Sequence, residues 1–528
     1  MRAERLFRAL GLVDPALVEE ALAIRRRAWR RWAAMAACLA LAAWLGFGWL
    51  GSGGFRGDGG GMSGGADSGS SGGAAPADSA GAAEPGGAGE GISFLSCAGP
   101  VLPLTTAEEP AGLTAERTVT WDFAPGSNRR GETRQWGAEV TDAYVLRNDT
   151  DADITVTALY PFAGSFGDLP EIRPRAAVDG AAVEAELYAG PYSGGFQPAF
   201  GAERPDSMNL DDLNSWREYK ALLEDGTYLE QALGPGPVLD MPATVYEFSD
   251  FAAPHEEHPA ATQAVSFTVD ESASKIFTYG FNGMDRDGKL RRYSYFVPDG
   301  VRNEPELKLL VVLGEDVGDY VLRGYRDGGC DPGEEIEGVS CSVTRSETTL
   351  DAMLDRLCAY YRERYARSRA VDQEDAFDAV PFPLYRRAAA ELLARYGALS
   401  GAPSDRYAGG RLDDILAETL YQDRVLYLGF PVTAPAGGSA RVECGLWKEP
   451  CFDFGGSGSE NEGLQGFGLA TRLGSGLAFT RQGAVLANVG NVEITGQSFG
   501  FDAENGVFAV ELDLEREYYY LEIRPGEK

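Results

Sequence analysis

The chain has 528 residues, 80 acidic against 47 basic side chains, a net charge of −33 and only two histidines. That length exceeds one compact core and implies two or more domains. The acidic balance repels phosphate backbones and sets nucleic acid aside as a partner.

Residues 1–31 carry eight arginines and four acids, a lead of charge +4. They predict two short helices, the second opened by Asp14 with Pro15 at its first helical position. Leu6, Phe7, Leu10, Leu17, Val18, Ala21 and Leu22 recur at helical spacing. The stripe suits first a membrane surface or self-packing, and second a cytoplasmic partner, for which Leu6, Phe7, Leu10, Leu17, Val18 and Leu22 are the candidate docking residues.

From Trp32 to Leu50 no residue is charged. As a helix this run is about 29 Å long, against a hydrocarbon core of roughly 30 Å. A cleavable signal has an apolar core of only about 7–15 residues, so a retained signal-anchor is expected. Trp29, Trp32, Trp44 and Trp49 fall near its two ends, where indoles favour the interface. Arginine-rich flanks stay cytoplasmic. The N-terminus is therefore expected inside and residues 51–528, which carry the remaining −37 of the −33 total, outside. Residues 51–91 contain 17 glycines among Ser, Ala and Asp and read as a flexible tether. Its r.m.s. reach is roughly 35 Å, and it cannot carry torque.

The body reads as mainly β, α+β overall, with two antiparallel β-sandwich-like regions separated by a helical segment. Residues 92–345 alternate in "TVTWDF", "ITVTALYPF", "AVSFTV", "KIFTYGF" and "RRYSYFV", with a helical insert near 209–233. Residues 346–421 are expected to be helical, with Ser346 and Thr349 as caps for a helix carrying Leu350, Leu354, Leu357 and Tyr361 on one face. Residues 422–528 return to alternation and are expected to form a second antiparallel domain.

Outside the cytoplasm disulfides are chemically available. Cys330–Cys341 and Cys444–Cys451 are the expected local pairs, each closing a short polar loop. No cysteine pair has CxxC spacing, so neither a thiol metal site nor a cofactor is expected. Motifs that resemble catalytic ones lack their context. "GQSFG" at Gly496–Gly500 has the spacing of a serine elbow, but another strand follows it and both histidines precede it. "PHEEHP" spaces His255 and His258 by three, with flanking prolines, where a zinc helix needs four. "MDRDGK" at Met284–Lys289 lacks the twelfth-position Glu of a calcium loop and reads as a hairpin turn. The aromatic stretches at Tyr246–Phe251 and Tyr518–Tyr520 read as strand-face core. No catalytic or metal-binding residue is assigned.

The stretches "ERLFRALGLVDPALVEEA", "CAGPVLPLT", "YVLRNDTDADITVTALYPFAGSF" and "QSFGFDAENGVFAVELD" resemble a group of anti-sigma-factor-like single-pass membrane proteins of Gram-positive bacteria, which accompany extracytoplasmic-function sigma factors. These stretches cover the lead and both β regions. The resemblance implies membrane-linked regulation, with a sigma factor or another cytoplasmic regulator bound by the stub. The stub has no His and no Cys, so the zinc motif of one large anti-sigma class is missing from it. The expected function is a non-enzymatic envelope sensor or regulator. A displayed binding or adhesion module with an unidentified extracytoplasmic ligand comes second, and a surface hydrolase third.

Overall fold

The computed structural model describes residues 99–526, apart from 110, 128–132, 135, 193–215, 255–260, 299–305, 369–375, 404–406, 451, 454–462 and 474–475. The stub with its docking stripe, the expected span and the tether lie outside the described residues. Among the described residues no helix is long and apolar enough to cross a membrane.

The body is mainly β, as its alternating stretches require. The first strands are β1 (Thr105–Thr106), β2 (Leu113–Asp122), β3 (Gly126–Ser127), β4 (Thr133–Arg134), β5 (Ala138–Asn148) and β6 (Ile154–Gly164). Helix α1 (Leu169–Ile172) leads to β7 (Arg175–Val178), β8 (Ala181–Ala182) and β9 (Glu186–Ala189). Helices α2 (Trp216–Leu223) and α3 (Thr227–Leu233) fall inside the expected helical insert. Then come β10 (Pro242–Ala252), β11 (Thr262–Thr268), β12 (Ser274–Tyr279), β13 (Gly283–Asp287), β14 (Leu290–Phe296), β15 (Lys308–Gly314), β16 (Tyr320–Tyr325) and β17 (Ser340–Thr349). Helices α4 (Leu350–Ser368), α5 (Phe382–Arg395) and α6 (Leu412–Tyr421) follow. The chain ends with β18 (Arg424–Ala434), β19 (Ser439–Lys448), β20 (Phe452–Asp453), β21 (Gln465–Ala470), β22 (Ala478–Ala487), β23 (Val492–Gln497), β24 (Ala509–Glu511) and β25 (Tyr518–Pro525).

The strand partners differ from the expected division into a region before 346 and one after 421. One sheet runs β24-β22-β2-β5-β19-β7-β8, and a second runs β1-β6-β18-β9. Each places late strands among early ones. Thr114 pairs with Ala478 across a parallel β2–β22 contact, and all of β18 lies along β6 from Arg424↔Gly164 to Ala434↔Ile154. The C-terminal strands therefore do not form a separate domain; they complete sheets begun by residues 105–189. A third sheet, β20-β21-β25-β23, joins the same core through Phe467, Leu469, Leu521 and Ile523. Alternation marks a strand and its buried face, but it carries no information about which strand lies alongside.

Residues 242–349 form the inserted part. Its two sheets, β12-β15-β10-β17 and β13-β14-β11-β16, enclose an aromatic core that includes Tyr246, Phe248, Phe267, Phe281, Tyr293 and Tyr295. β15, "KLLVVLG", is buried along nearly its whole length because it has two apolar faces. Leu310 and Val312 face the aromatic core, and Leu309, Val311 and Leu313 face the main core with α4 residues Leu354 and Leu357. Helix α4 starts at Leu350, after β17. Thr349 Oγ1 accepts from Ala352 N at 3.2 Å, as expected of a cap. Ser346, expected as a second cap, instead pairs with Val245 inside β17.

Lys308, on β15, is almost fully buried. Its Nζ donates to Gly280 O at 2.7 Å and lies 5.6 Å from the Tyr295 ring centre. Burial pulls its ammonium down to about 8, and the charge of Asp413 only partly opposes this. Between that value and the unfolded value near 10.5, the unfolded chain holds a proton that the folded chain has lost, so stability rises with pH in this window. Lys308→Met lacks this titration. Denaturant unfolding at pH 7 and pH 10 should show wild type gaining up to about 3 kcal/mol relative to the variant, and a pH-independent difference would contradict it.

Candidate functional site

The site with the most organised polar chemistry lies at the first described residues, just before β1. Val101, Leu102 and Leu104 are each 4% exposed or less. Val101 N donates to Gly468 O at 2.8 Å, and Ala470 N donates to Val101 O at 2.9 Å. This segment is thereby laid parallel beside β21 at Leu469.

Beneath it, β2 and β5 each carry one charged residue among their inward positions. The inward positions of β2 are Leu113, Ala115, Arg117, Val119 and Trp121, and those of β5 are Ala138, Val140, Asp142, Tyr144, Leu146 and Asn148. Arg117 and Asp142 thus project into the core and meet there, with no side-chain exposure on either partner. Arg117 Nε donates to Asp142 Oδ1 at 2.9 Å and Nη2 to Oδ2 at 2.7 Å, the two-pronged geometry that suits guanidinium and carboxylate. The remaining donors reach outward: Nη1 to Ala470 O at 2.6 Å and Gln482 Oε1 at 3.4 Å, and Nη2 to Leu102 O at 3.3 Å. Tyr144 Oη donates to Asp142 Oδ2 at 2.7 Å and accepts from Leu104 N at 2.9 Å. Gln482 Nε2 donates to Thr471 O at 2.5 Å.

One ion pair thus joins five pieces of chain: the segment before β1, β2, β5, the end of β21 and β22. Burial opposes the charge on Arg117, but the Asp142 carboxylate more than offsets it and raises the guanidinium above its ordinary range. Burial pushes the phenols of Tyr144 and Tyr160 well up, so Tyr144 remains a donor to the carboxylate. Cys444 stands opposite Asp142 across β19 and β5. Burial, with the Asp142 carboxylate, keeps its thiol protonated and unreactive. No member of this network faces solvent, so it is a clasp and not a place for chemistry. The cleft beside it, between Pro100, Tyr160, Ile172, Asp423 and Trp447, encloses about 20 Å³, room for one water.

The cysteines do not form the expected Cys330–Cys341 pair. Both are free thiols. Cys330 packs with Ala264 and Tyr325, whereas Cys341 sits beside Tyr295 and Gln263. Gln263 and Ala264 are consecutive in β11 and point to opposite faces, so the sheet itself separates the two sulfurs. Cys444 is a free, fully buried thiol, and Cys451 lies outside the described residues.

His255 and His258 also lie outside them. Ser498 Oγ accepts from Tyr520 N at 3.0 Å, so the hydroxyl serves the strand pairing of β25. β13 and β14 form the expected hairpin around Gly288, and Asp285 pairs with Arg292 at 2.6 Å. Tyr246 donates to Asp316 at 2.7 Å, and Tyr519 stacks on Phe499 at 5.1 Å; both rings are in the core, as expected. Sequence reasoning missed Arg117 and Asp142. Their signal was available: each is a charged residue in phase with the apolar positions of its strand.

No protein-family model matches the chain, and a search of curated proteins finds no match.

Proposed function

We propose that the protein is a non-enzymatic envelope sensor or regulator, anchored by the Trp32–Leu50 segment with its N-terminus in the cytoplasm and its acidic body outside. In this reading the stub, through Leu6, Phe7, Leu10, Leu17, Val18 and Leu22, holds a cytoplasmic regulator such as a sigma factor. The body senses or assembles, and proteolysis of residues 51–91 followed by cleavage in the span alters the stub. The observation that supports this reading is the clasp just before β1. It ties residues 101–104 to β2, β5, β21 and β22, so a pull or a cut acts on the stretch before Gly99 and leaves the body's core closed.

The test is an affinity pull-down from detergent-solubilised membranes, comparing the full chain with one lacking residues 2–23. The expected result is a cytoplasmic regulator recovered only with the full chain. An identical set of partners for both would move the function wholly to the body and favour a displayed binding module.

A further inference from the structure

Arg424, the first residue of β18, is a buried cation whose Nε has no hydrogen-bond partner among the described residues. It is 1% exposed. Arg117, equally buried, uses its Nε on Asp142. One face of the guanidinium lies over the Phe166 ring, 4.8 Å from its centre. Beyond it is a recess between α5 and the start of β18, lined by Tyr192, Ala388, Glu391, Leu392, Arg395 and Tyr396. Arginine does not give up its proton in proteins, and a buried charge short of hydrogen bonds is costly. Burial opposes the charge on Arg424, and the carboxylates of Glu391 and Asp423 favour it through space.

The surroundings select the ligand. Glu391 is itself held by Arg387 at 3.5 Å, and Arg387 also donates to Ala232 O at 2.8 Å. Arg395, at the rim, donates to Gln231 Oε1 at 2.9 Å. Among the described residues, the cations Arg387, Arg395 and Arg424 lie around the carboxylates of Glu391 and Asp423, an excess of one positive charge. A monoanion balances it; a dianion meets the two carboxylates. A guanidinium fork matches the two oxygens of a carboxylate. Ala388, Leu392 and the edge-to-face pair Tyr192–Tyr396, with centres 5.5 Å apart, would cover a short apolar tail. The space between these atoms is about 200 Å³, part of it open to solvent, and it holds no preformed water-sized void. Binding therefore has to open the rim, so an affinity on the order of 1 mM is expected.

We propose that Arg424 anchors a binding site for a small monocarboxylate in this recess. The test uses the full chain in detergent and [¹³C]acetate, read by saturation-transfer NMR at constant ionic strength, with inorganic phosphate as comparator. Wild type should bind acetate saturably and more tightly than phosphate. Arg424→Gln should abolish the signal, and Arg424→Lys, which keeps the charge but loses the fork, should weaken it about tenfold. Should Arg424→Gln fail to fold, Glu391→Gln decides. It removes the repelling carboxylate and should tighten acetate several-fold while admitting phosphate. No saturable signal from wild type, acetate binding that survives Arg424→Gln, or a Glu391→Gln protein that discriminates as wild type does would each overturn the proposal.

Discussion

A chain that stops at Tyr421 is expected to lose the fold of residues 105–189 along with the strands removed. Without β18, β6 and β9 have no strand between them; without β19, β5 is cut off from β7 and β8. The main core would lose Leu426, Leu428, Phe430, Val432, Val442, Leu446, Phe467, Leu469, Leu521 and Ile523, each buried. Burying such a side chain stabilises by about 1.5–3 kcal/mol, so the loss exceeds the roughly 5–15 kcal/mol that holds a typical domain together. Amide exchange on the truncated protein should show β2 and β5 unprotected. Native-like protection of those strands would mean that the N-terminal region folds alone, contrary to the interleaved sheets.

Asp142→Leu is expected to be among the most damaging single substitutions in the body. It leaves Arg117 charged, buried and without its counter-ion, and removes the acceptor used by Tyr144. Breaking one side of a buried pair costs about 3–5 kcal/mol. The double substitution Arg117→Met/Asp142→Leu should recover most of that loss, because an apolar pair of similar volume carries no desolvation penalty. Urea unfolding of the three variants measures this directly. If Asp142→Leu costs no more than the roughly 0.5 kcal/mol of an ordinary surface change, the network is not a clasp.

The two expectations concern the parts of the structure least legible in the sequence. Strand faces were readable: Leu113, Ala115, Val119 and Trp121 are inward, as alternation requires. The cap at Thr349 and the hairpin at Gly288 follow from local chemistry, and local chemistry needs no knowledge of the fold. Partner choice does need it. Val119 pairs with Asp142 on one side and Ala484 on the other, and nothing in "TVTWDF" distinguishes a strand near in sequence from one several hundred residues away. The spacing of Cys330 and Cys341 suggested a bridge for the same reason: separation along the chain says nothing about a sheet standing between two side chains. Arg117 and Asp142 were the recoverable omission. A lone charge at an inward position has to find a partner, and two such strands in one sequence already propose each other.

The most direct test of the proposed signalling route is a pulse-chase of the full chain, tagged at both ends, under envelope stress, with N-terminal sequencing of any released body. The expected result is a body fragment that begins between residues 51 and 98, followed by a shorter membrane fragment that carries the stub. Full-length protein throughout the chase, or a first cut that falls C-terminal to Gly99, would contradict it.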